Sequence, residues 1–224
     1  MHRMGVKLYV TPLNYDGMIE VENIIDGSVI NFCDAPRFKV KHTYLTANRR
    51  LADKGAYLEV ATRDNDLHIG VGSYLEAVKN GENVIKTTQF GAFGEQAVEF
   101  NDFDAVQGET VEVTKYVSIY TGRDVSTEEI PGAVAEEISA FRRQGFEEEF
   151  KEHQAVYDKL WQEADIQIGG DFELDRAVRF NIFHLMSTGN EHDDRVNIGA
   201  KLLSGEEYGG HAFWDCLLYT SPSP

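Results

Sequence analysis

The chain has 224 residues and a formal net charge of −17, with 42% hydrophobic, 11% aromatic and 26% charged residues. That composition excludes a disordered chain, and the acidity argues against nucleic acid as a partner. The absence of a run of 18 apolar residues excludes an α-helical membrane span, and Met1–Val10 lacks the apolar core of a signal peptide, so the expected location is cytoplasmic.

The first half reads as β-structure. Val6–Val10 and Met18–Ile25 are short apolar-rich runs with a turn signal, Asn14-Tyr15-Asp16-Gly17, between them. Ile19 and Val21 alternate with Glu20 and Glu22, the period of a strand with one wet face. Tyr57–Thr62 and Leu67–Ser73 flank Arg63-Asp64-Asn65-Asp66 and predict a hairpin. Farther on, Val111, Val113, Val117 and Ile119 fall on one face of a long strand, with Thr114, Tyr116 and Ser118 on the other. Strands and turns with no helix among them point to an antiparallel sandwich.

The pattern changes near Arg123. Ser126 or Thr127 can cap a helix and Pro131 fits its first turn. Val134, Ile138 and Phe141 follow at helical spacing, Gly145 interrupts, and Phe146, Phe150, Tyr157, Leu160 and Ala164 continue a second helix. Residues 128–175 hold 14 Asp and Glu against 4 Lys and Arg, which reads as a solvated helical face. Asp171 is a suitable N-cap for a third helix. Its apolar residues from Leu174 to Met186 cover nearly every direction, so burial inside a larger helical assembly is expected. A glycine-rich stretch, Ser187 to Gly210, follows.

Both ends read as cut. The strands counted are few for a sandwich, and the chain starts inside a strand-like run. Cys216-Leu217-Leu218-Tyr219-Thr220-Ser221-Pro222-Ser223-Pro224 neither continues a helix nor closes a domain. It reads as a non-native tail, the alternative being a disordered natural one. The two cysteines, Cys33 and Cys216, give neither a CxxC nor a metal spacing.

Gly209-Gly210-His211-Ala212-Phe213-Trp214-Asp215 carries the most chemistry. Paired glycines permit close backbone approach. An indole can pack against the C–H face of a pyranose, and a carboxylate can accept bonds from its hydroxyls. Taken alone, Trp214 reads more readily as a core residue, and Asp215 can simply cap the next helix.

Three blocks make the pattern specific: Arg179-Phe180-Asn181-Ile182-Phe183-His184-Leu185, Asn197-Ile198-Gly199-Ala200-Lys201, and Gly205-Glu206-Glu207-Tyr208-Gly209-Gly210-His211-Ala212-Phe213-Trp214-Asp215. In this order they resemble glycoside hydrolase family 65, the maltose, kojibiose and trehalose phosphorylase family. The resemblance reaches back through Lys115–Asp124 and Val10–Gly17, covering nearly all of residues 1–215. Leu202 departs from the family's usual glycine, and Cys216-Leu217 stands where Thr-Glu is expected.

The resemblance implies a β + α fold, made of part of an antiparallel β-super-sandwich (1–125), linker helices (126–170) and the start of an (α/α)6 catalytic barrel (171–215), with 216–224 outside it. It implies that Trp214 and Asp215 contact the glucose beside the scissile bond, with Phe213 and His211 near. The family's general-acid glutamate lies beyond Asp215, so no catalytic residue and no activity is assigned to this chain alone. The implied reaction is inverting phosphorolysis of an α-glucoside to β-glucose 1-phosphate, with a disaccharide and inorganic phosphate as substrates and no cofactor or metal. A homodimer of the full-length enzyme also belongs to what it implies. An α-glucoside hydrolase of the same family and a non-catalytic carbohydrate-binding module remain the alternatives.

Other constellations carry less. Glu191-His192-Asp193-Asp194 is contiguous, whereas metal sites use spaced ligands, so it reads as a solvated loop. His184 reads as a hydrogen-bonded core histidine. Gly70-x-Gly72 is too short for a dinucleotide fingerprint.

Overall fold

The computed structural model describes residues 2–32, 39–51, 55–188 and 198–200. Its strands are β1 (Arg3–Val10), β2 (Gly17–Asp26), β3 (Asn31–Phe32), β4 (Lys39–Val40), β5 (Thr43–Arg50), β6 (Ala56–Thr62), β7 (His68–Lys79), β8 (Glu82–Asn83), β9 (Thr87–Phe93), β10 (Gln96–Ala105) and β11 (Val111–Thr121). Its helices are α1 (Ile130–Gln144), α2 (Phe146–Ala164) and α3 (Phe172–Thr188). The chain divides into two units, Met1–Val29 with His42–Phe150, and Ile30–Lys41 with Lys151–Pro224.

The first unit is an antiparallel sandwich. One sheet runs β1-β11-β7-β6-β5 with β8 on β7, and the other runs β2-β10-β9. The expected hairpin is present, since β6 pairs antiparallel with β7 across the turn at 63–66. The Asn14–Gly17 turn does not make a hairpin. It carries the chain from β1, which pairs with β11, to β2, which pairs with β10 in the other sheet. The long strand predicted from Val111 onward is β11, and both of its faces are covered. Val111 and Val113 pack toward the second sheet, and Tyr116 packs under α1.

Three of the longer strands did not stand out in the sequence. β5 and β9 are polar, and β10 hides its period. The residues of β10 that face the larger sheet are Ala97, Glu99, Asn101, Phe103 and Ala105, every one at most 3% exposed. A glutamate and an asparagine on the buried face break the apolar alternation by which strands are usually recognised.

α1 lies on the outer face of the larger sheet. Ile130, Val134, Ile138 and Phe141 form its stripe and are at most 4% exposed. Full burial of such side chains is worth about 2 kcal/mol each. The close approach depends on Gly70 and Gly72 of β7. A Cβ at Gly70 would lie 2.4 Å from Ile130 Cγ2, and one at Gly72 would lie 2.4 Å from Val134 Cγ1. These glycines are a seat for a helix, which accounts for a motif that has no nucleotide-binding meaning.

The helix is locked at both ends. Ser126 and Glu129 form a capping box ahead of it, and Pro131 stands in its first turn. At the other end the Arg142 guanidinium sits 3.6 Å from the centre of the Tyr74 ring and pairs with Glu76 at 2.7 Å. Arg3 of β1 binds Glu137 at 2.5 Å and Glu149 at 2.6 Å, tying the start of α2 to the sheet. Gly145, at φ 86°, makes the break between α1 and α2 that the sequence marked.

In the second unit β3 and β4 form a two-stranded antiparallel pair. α2 buries no residue fully, as its acidic sequence led one to expect. α3 starts at the predicted cap, the Leu174 amide donating to Asp171 Oδ1 at 3.0 Å. The expected burial of α3 is not met among the described residues. Phe172, Leu174, Phe180, Phe183 and Leu185 are 40–72% exposed, and Thr188 is its one buried residue.

Candidate functional site

His211, Phe213, Trp214 and Asp215 lie outside the described residues. So do the run 191–194, both cysteines and residues 216–224. What is described is the helical framework ahead of them in the second unit, and a polar band inside the sandwich.

In the second unit the helix α3 presents Arg179, the first residue of the motif. Its Nε pairs with Asp165 Oδ1 at 2.9 Å, and its guanidinium lies 5.1 Å from the Trp161 ring centre. Asp175 Oδ1 accepts from the Ile168 amide at 2.7 Å, which folds the 165–170 connection onto the helix. Trp161, Phe172, Asp175, Arg179, Phe180 and Phe183 line a cleft of about 430 Å³. Tyr157 adds to this aromatic surface, its ring centre 5.7 Å from that of Phe183. Aromatic rings beside an arginine–carboxylate pair can receive a sugar ring or another helix. His184 does not sit in a core. It is partly exposed, with its ring against Phe180 at 4.4 Å and Phe183 at 5.5 Å.

The sandwich holds a second cluster that the sequence reading missed. Along β2, β7 and β10, polar residues interrupt two apolar layers: Asn23 on β2, Ser73 on β7, Glu99 and Asn101 on β10. Asn23 Nδ2 donates to Ser73 Oγ at 3.0 Å and to Glu99 Oε2 at 3.1 Å, linking the two sheets. Glu99 Oε1 has no partner among the described residues. Burial pushes the Glu99 carboxyl up to about 7, against the opposing pull of the Asn23 hydrogen bond and the charges of Arg50 and Lys115. Burial likewise pushes the Lys115 ammonium down, and its Nζ donates to the Ile24 carbonyl at 3.0 Å. The one legible signal for this band was the polar run Glu99-Phe100-Asn101-Asp102 within an otherwise β-forming stretch.

A third cluster surrounds Glu59, which is 7% exposed. Burial raises its pKa, but bonds from Tyr57, His68 at 2.7 Å and Thr46 at 3.1 Å together outweigh that and leave it lowered. It is a closed network that holds β5, β6 and β7 in register. Among the described residues no group of three or more His, Cys, Asp or Glu converges as a metal site would require, and no helix is long and apolar enough to cross a membrane.

Comparison with known proteins gives this framework its context. The profile of the glycosyl hydrolase family 65 N-terminal domain matches residues 1–160, and that of the family 65 central catalytic domain matches residues 179–223. The chain belongs to glycosyl hydrolase family 65. The kojibiose phosphorylase of Thermoanaerobacter brockii is 44% identical over 226 residues, covering 99% of this chain and 29% of the relative. The α,α-trehalose phosphorylase of the same organism is 29% identical over 231 residues, with the same coverage. The maltose phosphorylase of Bacillus subtilis (strain 168) is 34% identical over 160 residues, covering 65% of this chain and 21% of the relative. This family 65 chain thus spans less than a third of the length of the curated relatives it matches. A solved human-microbiome protein provisionally named a kojibiose phosphorylase superposes with a TM-score of 0.78 at 15% identity, over 96% of this chain and 27% of that one. That likeness bears on the fold, which is the family 65 N-terminal sandwich followed by the start of the helical barrel.

Proposed function

We propose that the protein to which this chain belongs is a disaccharide phosphorylase, cleaving an α-glucoside with inorganic phosphate and releasing β-glucose 1-phosphate with inversion. The observation that supports this reading best is the 44% identity to a kojibiose phosphorylase across 99% of the chain. In this reading residues 1–125 are the sandwich, 126–170 the linker, 171–215 the beginning of the catalytic barrel, and 216–224 a non-native tail.

Trp214 supplies a ring face for the glucose and Asp215 accepts from its hydroxyls, with Phe213 and His211 completing the wall. A carboxylic acid outside this chain protonates the leaving oxygen, and phosphate attacks the anomeric carbon from the opposite face. Phosphate is already a nucleophile at neutral pH, so one catalytic carboxylate suffices and the 224-residue chain alone is inactive. The exposed apolar residues of α3 are those the remainder of such a barrel covers.

The test is turnover by the chain extended to the length of its relatives. Kojibiose, maltose and trehalose are each supplied with and without phosphate, and β-glucose 1-phosphate is read by ³¹P NMR. Phosphate-dependent product supports the proposal. Glucose release of equal rate without phosphate would falsify it in favour of a hydrolase. In that protein Trp214→Ala and Asp215→Asn are each expected to lower kcat/KM at least 100-fold, the scale of about 3 kcal/mol for a lost transition-state contact.

A further inference from the structure

At the open edge of the sandwich's polar band lies a cavity of about 160 Å³, lined among others by Arg50, Asn83, Lys86, Thr88 and Asn101. We propose that this cavity is a binding site for a small tetrahedral oxyanion of the phosphate class.

Four observations carry it. The first is donor chemistry. Asn101 is 2% exposed, and its Oδ1 accepts from the Thr88 hydroxyl at 2.9 Å. With the amide so oriented, Asn101 Nδ2 is left buried with no partner among the described residues. An unmet buried donor costs about 1–3 kcal/mol, and an acceptor in the cavity would recover it. The second is charge. Arg50 and Lys86 bring two cations to the cavity, and Arg50 has no ion-pair partner among the described residues, although its charge acts on Glu99. Lys86 is held by Asp104, an exposed pair that a competing anion can loosen.

The third is the amide of Asn83. Its Oδ1 is taken up by the Ile85 amide at 3.0 Å, so its remaining group is also a donor. The fourth is size. At about 30 Å³ per water, the space holds roughly five waters, and a phosphate or sulfate ion has five heavy atoms. A hexose has twelve heavy atoms, more than twice as many. A cation would meet two like charges, and an apolar guest would leave Asn101 unmet.

The proposal does not depend on the phosphorylase reading, because its readout is binding by the 224-residue chain. Inorganic phosphate is titrated into the chain and followed by isothermal calorimetry and ³¹P line width, with sulfate as competitor and glucose 1-phosphate as the larger phosphate. The expected result is saturable 1:1 binding of phosphate, displaced by sulfate, with glucose 1-phosphate weaker. Arg50→Gln and Lys86→Gln each weaken it about tenfold, the scale of one charge-assisted hydrogen bond.

Lys79→Gln removes the same charge from the Lys79–Glu109 pair, which lines no part of the cavity, and leaves binding unchanged. Arg50 and Lys86 are exposed, so their variants fold. Absence of saturable binding means the cavity holds water bridging Asn101, and that overturns the site. Equal weakening by all three variants means only general electrostatics, and tighter binding of glucose 1-phosphate defeats the size argument.

Discussion

The helices α1 and α3 are near equals in length, 15 and 17 residues, and opposite in design. α1 confines its large apolar residues to one stripe and buries all of it on a sheet of its own unit. α3 spreads Leu174, Val178, Phe180, Ile182, Phe183 and Leu185 round its circumference and leaves most of them exposed. A one-sided helix is completed by a single neighbour, whereas an all-round helix needs neighbours on every side. The first therefore folds with its unit, and the second records a surrounding that these residues alone do not supply.

The comparison breaks most directly at two phenylalanines. Phe141 is 1% exposed and packs edge-on to Tyr116 at 4.9 Å, while Phe180 is 62% exposed. Phe141→Ala is expected to cost the sandwich about 4 kcal/mol, and Phe180→Ala within about 0.5 kcal/mol. Denaturant unfolding of the two variants measures both. Comparable losses would mean that α3 is packed in solution, and the contrast would be gone.

The next largest effect tests the band inside the sandwich. The Glu99 carboxyl is raised to about 7, so its contribution to stability is fully present below its unfolded pKa of 4.5 and is lost as pH rises through about 7. Its loss by pH 8 is on the order of 3 kcal/mol. Glu99→Gln removes the ionisation, so the variant gains on the wild type between pH 5 and 8 and the gain is flat above 8. Glu59 has the opposite sign: its pKa is lowered, and its contribution is present above 4.5 and lost as pH falls through its folded value. Melting temperatures across pH 4–8 separate the two, and a variant that tracks the wild type at every pH sinks the assignment.

A smaller effect tests the seat of α1. Gly72→Ala would set a Cβ 2.4 Å from Val134 Cγ1 and 3.0 Å from Ile138 Cδ1. Overpacking of this kind costs about 1–3 kcal/mol, read as a lowered unfolding midpoint with the slope unchanged. No loss would mean that the helix shifts freely on β7.

What was legible in the sequence follows the same division. The apolar stripe of α1, its Pro131, the Gly145 break and the β6–β7 hairpin were all readable, because each rests on local pattern and local turn chemistry. β10 was not, because its buried Glu99 and Asn101 each take a hydrogen bond from another strand, from Asn23 and Thr88, and one-dimensional pattern does not see such partners. The burial of α3 was inferred from composition, but composition does not say which residues provide the cover. The block 211–215, proposed here to bind sugar, was found through resemblance, since an indole and a carboxylate side by side are ambiguous by themselves.

The smallest effect belongs to the cap of α3. Asp171 Oδ1 accepts the Leu174 amide, and Asp175 Oδ1 accepts the Ile168 amide, so the two carboxylates hold opposite sides of one turn. Loss of an N-cap aspartate costs about 1 kcal/mol. Where a helix is buried on its own unit, as α1 is, that cost merges into global unfolding. Where a helix is exposed, the same cost appears as local fraying. Asp171→Ala is therefore expected to speed amide exchange about fivefold over residues 172–178, with exchange in α1 unchanged. If α1 and α3 respond together, the two units unfold as one, and the independence inferred from their opposite burial is lost.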